Sequence, residues 1–164
     1  MKKENYVRMM RGIKAHSDLV TLICQWNRLL TGVVYAVYFI FMFWLLISKN
    51  ESFIRILCTT AISFLVVSVF RKVFNSPRPY EKFEEPSVIA KEKKGKSFPS
   101  RHVFSAFVIA VCFCFVNLWI GVLLLVSATG IAIFRVIGGV HFPIDVIVGA
   151  FVGILCAVIG MCGF

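Results

Sequence analysis

Residues 103–134 run for 32 positions without a charged side chain. As one helix they would extend about 48 Å, too far for a single crossing of a hydrocarbon layer ~30 Å thick. The stretch therefore predicts two membrane spans, turning near Asn117, Leu118 and Trp119. Three more spans follow from the same length argument. Leu29–Ser48 carries no charge over 20 residues. Phe53–Phe70 is interrupted only by Arg55, close enough to its start to snorkel. Ile144–Met161 is the last. Its Gly149-x-x-x-Gly153 pattern would let another helix pack closely, and is weak evidence for dimerisation. Composition agrees: 59% of the 164 residues are hydrophobic, more apolar surface than a soluble domain of that size could bury. The expected fold is an all-α, polytopic transmembrane bundle of five spans, forming one domain over residues 1–164.

The polar residues are concentrated. Lys and Arg number 18 against 8 acids, and most lie in residues 1–28 and 71–101. With so much apolar sequence, the partner this charge implies is anionic lipid and not nucleic acid. Within residues 4–26, Tyr6, Met9, Met10, Ile13, Val20 and Ile23 recur at near-helical spacing beside Lys2, Lys3, Arg8, Arg11 and Lys14. That pattern predicts a basic amphipathic helix lying on the membrane surface. Residues 71–101 are the one long polar connection, with Pro77, Pro79, Pro86, Pro99 and the charged run Lys91–Lys96. A connection of that length is usually functional or disordered. The six cysteines sit in or beside apolar runs and no C-x-x-C motif occurs, so neither a disulfide framework nor a zinc site is expected. No metal or cofactor is implied.

Five spans place alternate connections on one face. Residues 71–101, residues 135–143 and the N-terminus then share a side. This brings together Arg71, Lys72, Arg78, Arg101 and Arg135 with His102, His141 and Asp145. Taken singly, the cations could be flanking charge that sets topology. Meeting at one depth of a membrane edge, where charge is costly, they indicate a site. Guanidinium groups match phosphate oxygens in pairs, so the ligand read from these residues is a phosphate. Ser100 stands where it could cap the helix that follows, and the amides of that helix start favour an anion. Pro143 suits a first helical turn, which sets His141 just before the last span and Asp145 inside it. A carboxylate near an imidazole fixes its tautomer and raises its basicity, making a better nucleophile or base. His102 could protonate a departing oxygen.

These residues resemble the type-2 phosphatidic acid phosphatases, an integral-membrane branch of a superfamily shared with vanadium haloperoxidases. The family pattern opens with Lys, six residues, then Arg-Pro; here Arg71 stands for the lysine before Arg78-Pro79. The second part, Pro-Ser-Gly-His, is Pro99-Ser100-Arg101-His102, with arginine for glycine. The third, Ser-Arg, five residues, His, three residues, Asp, is met by Arg135, His141 and Asp145, with Phe134 in place of serine.

The resemblance implies a metal-independent phosphatase without a cofactor. His141 would attack phosphorus and form a phosphohistidine, Asp145 would orient it, and His102 would protonate the leaving group. Arg71, Arg78 and Arg135, with Ser100 and the backbone at Arg101, would hold the phosphoryl oxygens; Lys72 is an alternative donor to Arg71. Such clamping supplies most phosphoryl-transfer catalysis. Sixteen of the positive residues fall on the expected active-site face against two, Lys49 and Arg55, on the other. By the positive-inside rule the site faces the cytoplasm, where phosphatidylglycerol phosphate or phosphatidate would be substrates. Bacterial relatives with an outward site would instead take undecaprenyl pyrophosphate. Other readings of the same residues are a silent lipid-phosphate binder, a lipid phosphotransferase, and a transporter, which the lack of a repeat disfavours.

Overall fold

The computed structural model describes residues 1–90 and 94–163, so Lys91, Glu92 and Lys93 of the charged run lie outside the described residues. The described residues form seven helices and no strand: α1 Lys3–Lys14, α2 Ser17–Ile47, α3 Ser52–Phe74, α4 Pro79–Phe83, α5 Arg101–Cys114, α6 Leu118–Ile137 and α7 Pro143–Cys162. Four of them, α2, α3, α6 and α7, are long and apolar enough to cross a membrane.

The uncharged run breaks where expected. Asn117 caps α6, its side-chain oxygen accepting from the Ile120 amide at 3.1 Å. The other half of that run differs from expectation. It yields α5, 14 residues long, which spans about 21 Å, less than the hydrocarbon thickness. It folds as a short central helix because its neighbours cover it. Val103, Phe104, Ala110, Cys112 and Phe113 are wholly buried against α2, α6 and α7. The helix that Gly149 and Gly153 admit is α5 of the same chain. A Cβ at Gly149 would lie 2.9 Å from the Ser100 carbonyl oxygen, and one at Gly153 2.7 Å from that of Phe104.

The N-terminal expectation needs correction. Residues 4–26 are not one surface helix: the chain turns at Ala15 and His16, and residues 17–26 begin the 31-residue α2. The apolar face of α1 meets protein rather than lipid. Tyr6 and Met10 are fully buried in a second core with Ile23, Phe83 and Val88, packed against Ile137 and Phe142. The reason is a matching apolar surface on the connections. The Tyr6 ring lies 5.3 Å from that of Phe83, and its hydroxyl donates to the Gly139 carbonyl at 3.1 Å and the Glu85 carbonyl at 3.3 Å. Gly139 is required there. Its φ is +74°, and an added Cβ would meet the Met10 sulfur at 2.6 Å. The Lys14 ammonium pairs with Glu85 at 3.3 Å. Burial pushes the Tyr6 hydroxyl up to about 12, so it stays a donor at neutral pH.

The 71–101 connection is also more ordered than a loop. Arg71 and Lys72 belong to the last turn of α3, which stops at left-handed Asn75. Pro79 opens α4, and Arg101 is already the first residue of α5. The Val88 and Ile89 amides both donate to the Gly138 carbonyl, joining this connection to the one that carries His141.

Candidate active site

The end of α3, the start of α5, the end of α6 and the start of α7 converge at one end of the bundle. Two backbone bonds fix the convergence. The Ser100 amide donates to the Asp145 carbonyl at 2.8 Å, tying α5 to α7, and the His141 amide donates to the Arg135 carbonyl at 3.2 Å, tying α7's approach to α6. His141, Asp145, Arg135, Arg78 and Arg71 are all buried there, with 1–6% of their surface exposed.

Asp145 occupies the first turn of α7 behind Pro143. Its Oδ2 accepts from the Phe142 amide at 3.1 Å and from the Ser97 hydroxyl at 2.5 Å. The same oxygen is 3.5 Å from His141 Nδ1, and Ser97 Oγ is 3.3 Å from that nitrogen. These contacts on the imidazole ring all fall at Nδ1. Burial pushes the His141 imidazole down to about 4, opposed by Asp145 and assisted by the charges of Arg78 and Arg135. His141 is thus neutral in the resting protein at neutral pH.

The three arginines differ. Arg78 is placed by Glu81, whose carboxylate accepts from the Arg78 amide at 2.8 Å and the Gly95 amide at 2.7 Å. Its Nε donates to the Gly95 carbonyl at 3.0 Å, while Nη1 has no protein partner. Arg135 Nε and Ser100 Oγ are likewise buried and unpartnered. Ser100 does occupy the N-cap of α5, but its side chain makes no capping bond. An unpaired buried polar group costs about 1–3 kcal/mol. Three of them at one converging end fit a group rich in acceptor oxygens. Arg71 is committed otherwise: Nη1 donates to the Ser97 carbonyl at 3.1 Å and Nη2 donates to that of Lys96.

His102 sits half-buried in the first turn of α5, beside Ser100. Lys72 and Arg101 are exposed, and the Arg101 guanidinium stacks 5.5 Å above the Phe64 ring. Among the described residues no group of three or more His, Cys, Asp or Glu could hold a metal. A groove of about 650 Å³ reaches Asp145 between α3 and α7, lined by Phe74, Phe98, Phe142, Ile144 and Ile147. Ser97 and Glu81 escaped sequence reasoning. Ser97 carries no local pattern, since its contacts form only once its segment meets α3 and α7; Glu81 does carry one, standing third after the Arg78 N-cap of α4 behind Pro79, where a carboxylate accepts from the N-cap amide.

The chain is 33% identical over 113 residues to the Escherichia coli K12 protein named "Putative undecaprenyl-diphosphatase YbjG", covering 68% of this chain and 57% of that one. It is 31% identical over 100 residues to the bacitracin transport permease protein BcrC of Bacillus licheniformis, covering 58% and 49%. The matches thus span about half the length of these curated relatives. The crystal structure of Aquifex aeolicus LpxE superposes with a TM-score of 0.76 at 28% identity, covering 97% of this chain and 93% of that one. A PAP2-type phosphatidylglycerolphosphate phosphatase from Bacillus subtilis shares the fold, with a TM-score of 0.72 at 19% identity over 98% and 85%. The family model described as the PAP2 superfamily matches residues 52–164, which hold every motif residue from Arg71 to Asp145. With that match and the assembled Arg135, His141 and Asp145, the chain belongs to the PAP2 superfamily.

Proposed function

We propose that this protein is a membrane phosphatase that removes phosphate from a lipid phosphomonoester or pyrophosphate through a phosphohistidine. The observation that carries the reading is the set of three buried, unpartnered groups, Arg78 Nη1, Ser100 Oγ and Arg135 Nε, beside an oriented imidazole. The phosphoryl group binds among them and the amides opening α5. His141 Nε2 attacks phosphorus as the ester oxygen departs, and His102 gives that oxygen a proton. Water then displaces His141, releasing inorganic phosphate. Arg78 and Arg135 stabilise charge on the equatorial oxygens as the bond breaks. The lipid chain lies along the apolar groove at Ile144 and Ile147, whose side chains are more than half exposed. Similarity to a protein named as an undecaprenyl-diphosphatase supports the pyrophosphate substrate, and phosphatidylglycerol phosphate and phosphatidate belong in the same panel.

The test is phosphate release from purified lipid phosphates in detergent, with EDTA present. Release by the wild type and none by His141→Ala is the expected result. No release by either would make the protein a silent binder, and phosphate appearing on an added alcohol in place of water would make it a phosphotransferase. By charge count the site faces the cytoplasm. The N-terminus shares that end, so an epitope placed there should be shielded in intact cells; labelling from outside would reverse the orientation and favour a wall-precursor pyrophosphate.

A further inference from the structure

We propose that Ser97 is a positioning residue of this site: its hydroxyl stands between His141 and Asp145 and sets the imidazole tautomer, while Arg71 holds it in place. The inference rests on the phosphatase reading for its kinetic consequences, but its geometry does not.

Ser97 contacts both the imidazole and the carboxylate. Its Oγ is 3.3 Å from His141 Nδ1 and 2.5 Å from Asp145 Oδ2. The direct separation of Nδ1 and Oδ2 is 3.5 Å, longer than either Ser97 contact. A hydroxyl has one proton and two lone pairs. An ionised carboxylate can only accept, so the Ser97 proton goes to Asp145. Ser97 Oγ can then only accept from Nδ1, which must carry the imidazole proton. Neutral His141 is left with its lone pair on Nε2, the nitrogen the reaction needs.

The serine is fixed along its whole length. It is wholly buried. Its amide donates to the Ser76 carbonyl at 2.9 Å, and its carbonyl accepts from Arg71 Nη1 at 3.1 Å. Arg71 also bonds the preceding carbonyl, that of Lys96. An arginine fork can hold two neighbouring carbonyls where an ammonium is a point charge. The replacement of the family's lysine by Arg71 therefore suits a role in holding the 96–97 backbone. On this account Arg71 acts on catalysis through Ser97 and not by gripping phosphate.

The experiment uses the full-length chain in detergent, comparing wild type, Ser97→Ala, Ser97→Thr and His141→Ala. Ser97→Ala should lower kcat about tenfold or more, the scale of a misdirected reacting group. KM should stay near the wild-type value, as expected for a group that does not touch substrate. Ser97→Thr, which keeps the hydroxyl, should recover most of kcat. In parallel, nitrogen NMR of histidine-labelled protein, with His141 assigned through His141→Ala, should show the Nδ1-protonated tautomer in the wild type. That spectrum needs neither turnover nor a folded variant at Ser97. A wild-type His141 protonated on Nε2 overturns the proposal, as does unchanged kcat in a folded Ser97→Ala protein. An inactive wild type whose Nδ1 tautomer is lost in folded Ser97→Ala would sink the phosphatase reading and leave the Ser97 placement standing.

Discussion

Gly149 offers a test in which the size of the effect follows from two distances. A methyl added at Gly149 would sit 2.9 Å from the Ser100 carbonyl oxygen, and one at Gly153 2.7 Å from that of Phe104. Ordinary contacts begin near 3.4 Å, so α5 must yield by about half an ångström at Gly149 and slightly more at Gly153. The obstacle is backbone in both cases and cannot swing aside. Overpacking of this kind costs about 1–3 kcal/mol, and Gly153→Ala should be at least as destabilising as Gly149→Ala. Catalysis should rank the other way. Ser100 carries the unpartnered hydroxyl and the amide bonded to Asp145, whereas Phe104 lies one turn further into the membrane. Since a shift of 1 Å at a reacting group costs roughly a hundredfold, half of that at Ser100 should lower kcat about tenfold. Thermal unfolding in detergent and steady-state phosphate release measure the two quantities. Activity losses that simply track the loss of stability, with Gly153→Ala the worse in both, would refute the reasoning.

Three further outcomes are expected. The His141 imidazole is lowered to about 4 in the folded protein, against about 6.5 unfolded. The unfolded chain therefore binds the proton first: stability from this group is constant above pH 6.5 and falls as pH drops from there toward 4, and any acid limb of kcat/KM due to His141 lies well below pH 6.5. A limb at or above 6.5 that disappears with His141 would contradict the neutral imidazole. Ser100→Ala should leave the unfolding midpoint unchanged or higher, because it removes an unpaired buried group, yet weaken inhibition by orthovanadate; a lower midpoint with unchanged inhibition would argue against phosphate contact. Tyr6→Phe keeps the ring against Phe83 but removes the bonds to Gly139 and Glu85, so it should cost about 0.5–1.5 kcal/mol and lower kcat through the connection bearing His141, read by unfolding and turnover together.

The helix count and the site were legible in the sequence to different depths. Uncharged runs and the Asn117 break depend on length and local capping, which a sequence carries directly. The placement of His141 just before α7 and Asp145 in its first turn was legible for the same reason, since Pro143 marks the helix start; the spacing that ties them to Arg135, which sits on α6, rested on the family resemblance. The fate of α1 was not. Its amphipathic face fits a bilayer or a protein surface equally well, and only Phe83, Gly139 and Phe142 brought together decide between them. Arg71 shows a similar limit. Its charge was visible, but the carbonyls of Lys96 and Ser97 that occupy it come from a distant segment. Ser97 had no signal of its own, because a buried serine gains meaning only from what it touches.

The proposed reaction passes through a phosphoryl group bonded to His141 within the cradle of Arg78, Arg135 and Ser100. Rapid quenching of the enzyme with a lipid phosphate labelled in the transferred phosphorus tests this directly. The label should appear in an acid-labile, base-stable form on the peptide containing His141 and vanish in His141→Ala. Label on another residue, or turnover persisting in His141→Ala, would contradict it.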